Sequence, residues 1–387
     1  MIIKSLKILD FRNFEKAEIK FDTRLNIIIG ENGQGKTNII EALYLLTEGE
    51  SFRYCKNENL IRLNQPQAFL QSEITSDNLN YKVTLKLAAQ AKNLLINEKP
   101  AALTKHNKIA AVLFSPESLS IIKESAEERR ILVDQLVEQI TPTGQAVIRD
   151  YKKVLKTRNK LLKDVREEKI SYPLGLDTLE SLNPSFLKLA AELTYLRINV
   201  LNVIKPEVEI ALNKIHIHNI HNIHNIHNIH RAVNFDFEYL ISEKNHKNSS
   251  LENIVEVLNN RLAELQPMEL KLGGSLVGPQ KHDIILLYNG NNSRFYCSQG
   301  QQRSVILAYK MAQIVYYRKV HGFYPLLLLD DVLSELDLSK QESLISTLNQ
   351  TETQTFVTTT DVLLLSKLSM NRAQVFKVEN GHIGAIA

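Results

Sequence analysis

Two cysteines, Cys55 and Cys297, are all that 387 residues contain, so neither a disulfide framework nor a cysteine metal cluster is available. Such usage points to a reducing, cytoplasmic setting. Long apolar runs are missing too: Leu326–Leu329 ends directly in acid, far short of the roughly 20 residues that a membrane helix needs. The opening MIIKSLKILDFRNF is too interrupted by charge to read as a secretory leader. Neither sign of charge dominates, since 47 Lys and Arg face 43 Asp and Glu for a net +4. So mild an excess permits a polyanionic partner without establishing one. What is present is a chain with 44% hydrophobic residues, able to bury a large core and long enough for two or three domains.

The texture changes along the chain. In the first hundred residues Ile2–Leu9 and Ala17–Phe21 partly alternate, Tyr81, Val83, Leu85 and Leu87 repeat at period two, and LLIN at 94–97 adds a short strand. These predict an antiparallel sheet. After Arg129 and Arg130 the pattern turns helical. In YKKVLKTRNKLLKDV, Tyr151, Val154, Leu155, Leu161, Leu162 and Val165 share a face on which Arg158 is the one polar member. Lys152, Lys153, Lys156, Lys160 and Lys163 make the opposite face basic, which suits either a solvated surface or a phosphate backbone. Further helices are predicted after NPS at 183–185, capped by Asn183 or Ser185, and over Leu251–Leu265. The expected division is therefore 1–128, a helical insertion at 129–266, and 267–387. Inside the insertion lies HIHNIHNIHNIHNIH, His216–His230. A three-residue repeat drifts around a 3.6-residue helix without forming a stripe, so it reads as a tolerated surface insertion rather than a metal site.

Chemistry is concentrated at four places. GENGQGKT, comprising Gly30, Glu31, Asn32, Gly33, Gln34, Gly35, Lys36 and Thr37, follows the strand-like LNIII and precedes the helix-like NIIEALYLL. That setting predicts a P-loop: backbone N–H groups cradle phosphates, Lys36 faces the β and γ positions, and Thr37 ligates Mg2+. Nearly 300 residues later PLLLLDDVLSELD predicts a buried strand ending in Asp330, a second Mg2+ ligand, and Asp331, which would position or activate the attacking water. Asp337 of SELD is expected near the phosphates, or else as a helix cap. TTTD at 358–361, after the strand-like TFVTT, is a candidate γ-phosphate sensor. Finally CSQGQQRS at 297–304 sets polar residues ahead of an apolar helix. Ser298 or Gly300 either caps that helix or helps hold an anion at its start.

Together, a P-loop, an acidic strand and a polar helix start form the ABC-type ATPase arrangement. In that arrangement two heads sandwich ATP, with Ser298, Gly300 and Gln301 acting in trans. FRNF at 11–14, GENGQGKTNIIEALYLL, ERRILVDQL at 128–136, YKKVLKTRNKLLK at 151–163, SQGQQR and LLLLDDVLSELD occur in family order across nearly the whole chain. The chain thereby resembles the RecF family of bacterial recombination mediators. The resemblance implies an α/β fold, an ABC-type P-loop ATPase head with an antiparallel β-subdomain and an inserted α-helical arm. It further implies an ATP-dependent homodimer, weak DNA-dependent ATP hydrolysis, binding to gapped single-strand/double-strand DNA junctions, and RecA loading with RecO and RecR. One segment departs from the family: GPQKHD at 278–283 stands where members tend to carry GPHRDD. The rival readings fit less well. A transporter ATPase docks on membrane partners and has no comparable helical insertion. An SMC-like chromosome-organising ATPase needs hundreds of heptad residues for which there is no space, and a nuclease-bearing relative needs a further acidic metal cluster.

Overall fold

A computed structural model describes residues 1–53, 55–76, 78–101, 110–221, 232–350, 353–360 and 373–386. The chain divides into two compact units, one formed by 1–119, 211–230 and 306–387, the other by 120–210 and 231–305.

The first unit carries two six-stranded sheets. In one, Phe14–Lys20, Ile2–Phe11, Gln67–Ser76, Leu79–Ala88, Ala91–Ile96 and Lys99–Ala101 pair in that order, each antiparallel to the next. This is the predicted antiparallel subdomain. Alternation sends Leu6 and Ile8 of Ile2–Phe11 into the core and leaves Lys7 outside, while a register shift between Ile3 and Ser5 accompanies the burial of Ile3 as well. In the other sheet the order is His382–Ile386, Ala373–Glu379, Leu25–Ile29, Thr355–Thr359, Leu326–Asp330 and Ala111–Phe114. All neighbours there are parallel except the first pair. Leu326–Asp330 and Thr355–Thr359 are buried throughout, as strands covered on both faces must be. Because Leu25–Ile29 and Leu326–Asp330 both run parallel to Thr355–Thr359, the loops that follow them leave from one edge of the sheet. Ligands bind at that carboxyl edge in open α/β sheets.

The second unit is mostly helical, with Ala126–Ile140, Gly144–Arg166, the first part of Tyr172–His221, and Leu251–Leu272. The basic face of Gly144–Arg166 is exposed, and its apolar face is buried together with Arg158. That arginine is fully buried: its guanidinium pairs with the equally buried Glu269 at 2.6 Å, donates to Ser275 Oγ and Asn183 Oδ1, and lies 4.8 Å over the Phe186 ring. Two expectations are corrected here. No helix begins at NPS, because Tyr172–His221 runs straight through Pro184, and the Asn183 side chain serves Arg158 instead of a cap. Nor is the span wholly helical, since Phe235–Ile241 alternates buried and half-buried residues and pairs with Asp283–Tyr288 in a four-stranded antiparallel sheet. Leu251–Leu272 starts at Ser250, whose side chain caps Asn253 N, and runs seven residues past its expected end. His216–His221 of the histidine repeat continues the long helix, and the rest of the repeat lies outside the described residues. Among the described residues no helix is long and apolar enough to cross a membrane.

Candidate functional site

GENGQGKT leaves the strand Leu25–Ile29 and enters the helix Lys36–Glu48. Gly35 takes φ 117°, and a Cβ there would stand within 3 Å of the Asn13 side chain, so only glycine fits. No side chain caps this helix, which leaves its first N–H groups for an anion. Gly30, Gly33, Gln34 and Gly35 form the loop, with Glu31 and Asn32 exposed on its outer side. Lys36 is almost buried, donates to the carbonyls of Gly30 and Glu31 at 2.9 and 3.1 Å, and comes within 4.0 Å of Asp331 Oδ2.

Asp330 ends its strand in register with Thr358 of the neighbouring strand. Its Oδ1 accepts from Thr37 Oγ1 at 2.9 Å and from Thr358 Oγ1 at 2.8 Å. Burial pushes the Asp330 carboxyl up to about 6, against the two hydroxyl bonds that stabilise its anion. Asp331 adopts φ 50°, and its N–H donates to the Thr358 hydroxyl at 2.9 Å. Its carboxyl is also raised, first by burial, with Lys36 opposing. Asp331 Oδ1 is buried without a hydrogen-bond partner. Thr37 and Asp330 offer hard oxygen donors of the kind Mg2+ takes, and Mg2+ makes do with one or two protein ligands beside water and phosphate. The donor set therefore fits the cation. No cluster of three or more His, Cys, Asp and Glu suited to a metal occurs among the described residues.

Reading the sequence missed the supports of this loop. Asn13 of FRNF donates to Gln34 O at 2.7 Å and accepts from Asn38 Nδ2 at 2.8 Å. Across the sheet, Asn380 N donates to Gln34 Oε1 and Gly381 N to Gln34 O. Arg12 of the same FRNF turn holds the buried Glu41 with two bonds of 2.8 Å, and Arg53 donates to Asn38 Oδ1 at 3.0 Å. The paired FRNF residues were visible as a motif but carried no spacing that named their target. Thr358, read as part of a sensor, joins the two acids to each other through its hydroxyl, whereas Asp361 lies outside the described residues. Asp337 caps the helix Leu338–Gln350 through Lys340 N at 3.0 Å and pairs with the Lys340 ammonium.

In the second unit, Ser298 Oγ accepts from Gln301 N at 3.3 Å while Gln301 Oε1 accepts from Ser298 N at 2.9 Å. This reciprocal pair is a capping box at the start of Gln299–His321. Both side chains are nevertheless exposed, and Gly300 is half-buried with its carbonyl accepting from Ser304 Oγ. A hydroxyl has one proton and two lone pairs, so the cap uses a lone pair of Ser298 and leaves the proton for an incoming oxyanion. Capping and anion binding are therefore compatible. The divergent GPQKHD segment is built into the same unit. Arg129 pairs with Asp283 at 2.9 and 2.8 Å, Arg130 donates to the His282 carbonyl at 2.7 Å, and Tyr151 bonds Gln280. His282 itself is buried against Tyr239 OH at 3.1 Å, and burial beside Arg197 and Arg130 holds its pKa well below the usual histidine range.

Residues 2–384 match the family model described as the RecF/RecN/SMC N-terminal domain. The chain is 34% identical to the DNA replication and repair protein RecF of Halothermothrix orenii over 99% of its own length and 98% of the relative's. It is 33% identical to the RecF of Staphylococcus aureus over 99% of its length and all of that protein's. Among solved structures it is similar to the recombination mediator protein RecF-ATPrS in the RecFOR pathway, with a TM-score of 0.83 and 29% identity, covering 100% of this chain and 98% of that one. An Smc head domain from Pyrococcus furiosus, at 14% identity and a TM-score of 0.52 over 100% of this chain and 96% of that one, shares the fold.

Proposed function

Because the chain belongs to the RecF/RecN/SMC N-terminal domain family and, within it, to RecF, we propose that it acts in DNA replication and recombinational repair as an ATP-operated DNA-binding switch. One observation carries the reading. Lys36 and Thr37 of the loop meet Asp330 and Asp331 at one sheet edge, tied by the 2.9 Å Thr37–Asp330 bond. Lys36 would exchange the Gly30 and Glu31 carbonyls for the β and γ phosphate oxygens. Thr37 and Asp330 would hold Mg2+, which when bound neutralises charge developing on the phosphates. Asp331 Oδ1, buried and without a hydrogen-bond partner, is an acceptor that a nucleophilic water would satisfy, which supports Asp331 as the residue that would position that water. Ser298, Gly300 and Gln301 would engage the γ-phosphate held by a second copy, so that ATP closes a homodimer and slow hydrolysis reopens it.

On this reading the dimer binds gapped DNA junctions in the cytoplasm and, with RecO and RecR, promotes RecA loading. The exposed face of Lys152, Lys153, Lys156, Lys160 and Lys163 is the proposed backbone contact. Titration of gapped and uniform duplexes with and without ATP, with molecular mass recorded throughout, tests the proposal. The expected result is ATP-dependent pairing that tightens DNA binding, and its loss in Lys36→Ala. DNA binding indifferent to nucleotide would overturn it.

A further inference from the structure

Immediately ahead of Ser298 the chain makes a single helical turn, Ser293–Tyr296, whose last two residues are aromatic. Phe295 and Tyr296 are 71% and 76% exposed, more than any other aromatic side chains among the described residues. Exposed single apolar residues are ordinary. Two adjacent aromatics on a tightly fixed turn are less so.

The turn is held from three sides. Asn292 accepts from Arg294 N, the Ser293 hydroxyl is buried and donates to Leu286 O at 2.6 Å, and Gln302 Nε2 donates to the carbonyls of both Ser293 and Arg294 at 2.8 and 3.1 Å. Gln302 is itself buried and belongs to the helix turn that Ser298 caps. The backbone that carries the aromatic pair is thus tied through Gln302 to the helix start that Ser298 caps. Tyr296 precedes Ser298 by two residues, so the aromatic pair lies close to it in the chain. Rigid aromatics lose little conformational entropy when covered, and for that reason they anchor interfaces. Arg294 lies 5.5 Å over the Phe295 ring, which adds a cation to the edge.

We propose that Phe295 and Tyr296 are a docking platform for a second copy of this chain, seating on the nucleotide-bearing head whose γ-phosphate Ser298 approaches. The inference rests on the ATP-closed dimer argued above. The second copy is the occupant because Gln302 ties the turn to the helix start whose Ser298 would meet that copy's phosphate. In addition, the Arg294 charge complements a head loaded with a polyphosphate. The platform supplies apolar area that a phosphate contact alone lacks, so closing becomes favourable when nucleotide brings the heads together.

Sedimentation of the full chain with a slowly hydrolysed ATP analogue tests this, using wild type, the double variant Phe295→Ser with Tyr296→Ser, and Tyr296→Trp. Both positions are exposed, so the double variant should melt as wild type and bind the analogue within two-fold of it, yet dimerise at least ten-fold more weakly. The chain has no tryptophan of its own, so Tyr296→Trp gives a single emitter that should shift to the blue on dimerisation. A wild type that stays monomeric with the analogue defeats the ATP-dimer reading and the platform together. A wild type and double variant that dimerise equally, or a tryptophan that stays wet in the dimer, defeat the platform alone. A shift driven by DNA without nucleotide would assign the surface to DNA and likewise overturn the inference.

Discussion

The Thr37 hydroxyl and the Asp330 carboxylate, 293 positions apart in sequence, are joined by a hydrogen bond of 2.9 Å. The bond closes the edge of the sheet at which the P-loop and the acidic strand end. Asp330 is buried at the end of its strand, and the Thr37 and Thr358 hydroxyls compensate its charge only in part.

A pH dependence follows from that burial. With its carboxyl raised from 3.8 to about 6, the folded protein binds the Asp330 proton more tightly than the unfolded chain does. The associated stability is complete below pH 3.8 and is lost as pH rises through about 6, on the order of 2 to 3 kcal/mol. Asp330→Asn escapes that loss. Without nucleotide or Mg2+, the variant should gain in melting temperature over wild type across this window and keep the gain at pH 7.5, while ATP hydrolysis falls to background. A difference in melting temperature that stays flat from pH 4 to 7 would contradict it.

Asn13 should matter for nucleotide without contributing a charge. Asn13→Ala removes the 2.7 Å bond to Gln34 O and the acceptor for Asn38, a loss of about 1 to 1.5 kcal/mol. ADP affinity is expected to drop about five- to ten-fold and the ligand-free protein to melt about 2 °C lower. Unchanged ADP affinity in a calorimetric titration would show that the loop holds its shape without Asn13.

Substituting Ser298 separates its two roles. Aspartate caps a helix as well as serine does, so Ser298→Asp should melt like wild type and bind ATP normally. Its carboxylate would face an incoming phosphate, and dimerisation with ATP should fail. Ser298→Ala should instead lose about 0.5 to 2 kcal/mol of stability with a milder effect on pairing. A Ser298→Asp protein that pairs normally would restrict Ser298 to its capping role.

The buried pair of Arg158 and Glu269 gives a stability test far from nucleotide. Arg158→Met alone strands Glu269 and should cost about 3 to 5 kcal/mol, whereas replacing both by Met should restore most of the loss. Thermal denaturation followed by circular dichroism reads both. A double variant no more stable than the single would mean that Ser275, Asn183 and the Leu276 and Val277 amides depend on the charges themselves.

Contiguous motifs were legible from sequence. GENGQGKT lies between the predicted strand and helix, and LLLLD forms the predicted buried strand, because each pattern is complete within a dozen residues. Arg158 was visible as the one polar residue on an apolar stripe, but Glu269 could not be named because only the packed helices bring it within reach. Asn183 looked like a cap since Pro184 follows it, yet tertiary packing carried the helix through the proline. The strand Phe235–Ile241 alternates clearly, but it was absorbed into helical surroundings. Asn13 and Asn380 act on the loop, and Thr358 on the two aspartates, through strand order and turns, which no local pattern encodes.

The brace on Gln34 also governs when the site can form during synthesis. Asn380 N reaches Gln34 Oε1 from 346 positions further along the chain, and Asp330 and Thr358 also come late. At 5 to 20 residues per second, roughly 20 to 70 s of translation separates the P-loop from its last support. Throughout that interval the nascent chain carries a phosphate-binding sequence without the strands that give it shape. The braced shape of the loop is therefore reached only after Asp330, Thr358 and Asn380 have been synthesised and the strands that carry them have paired.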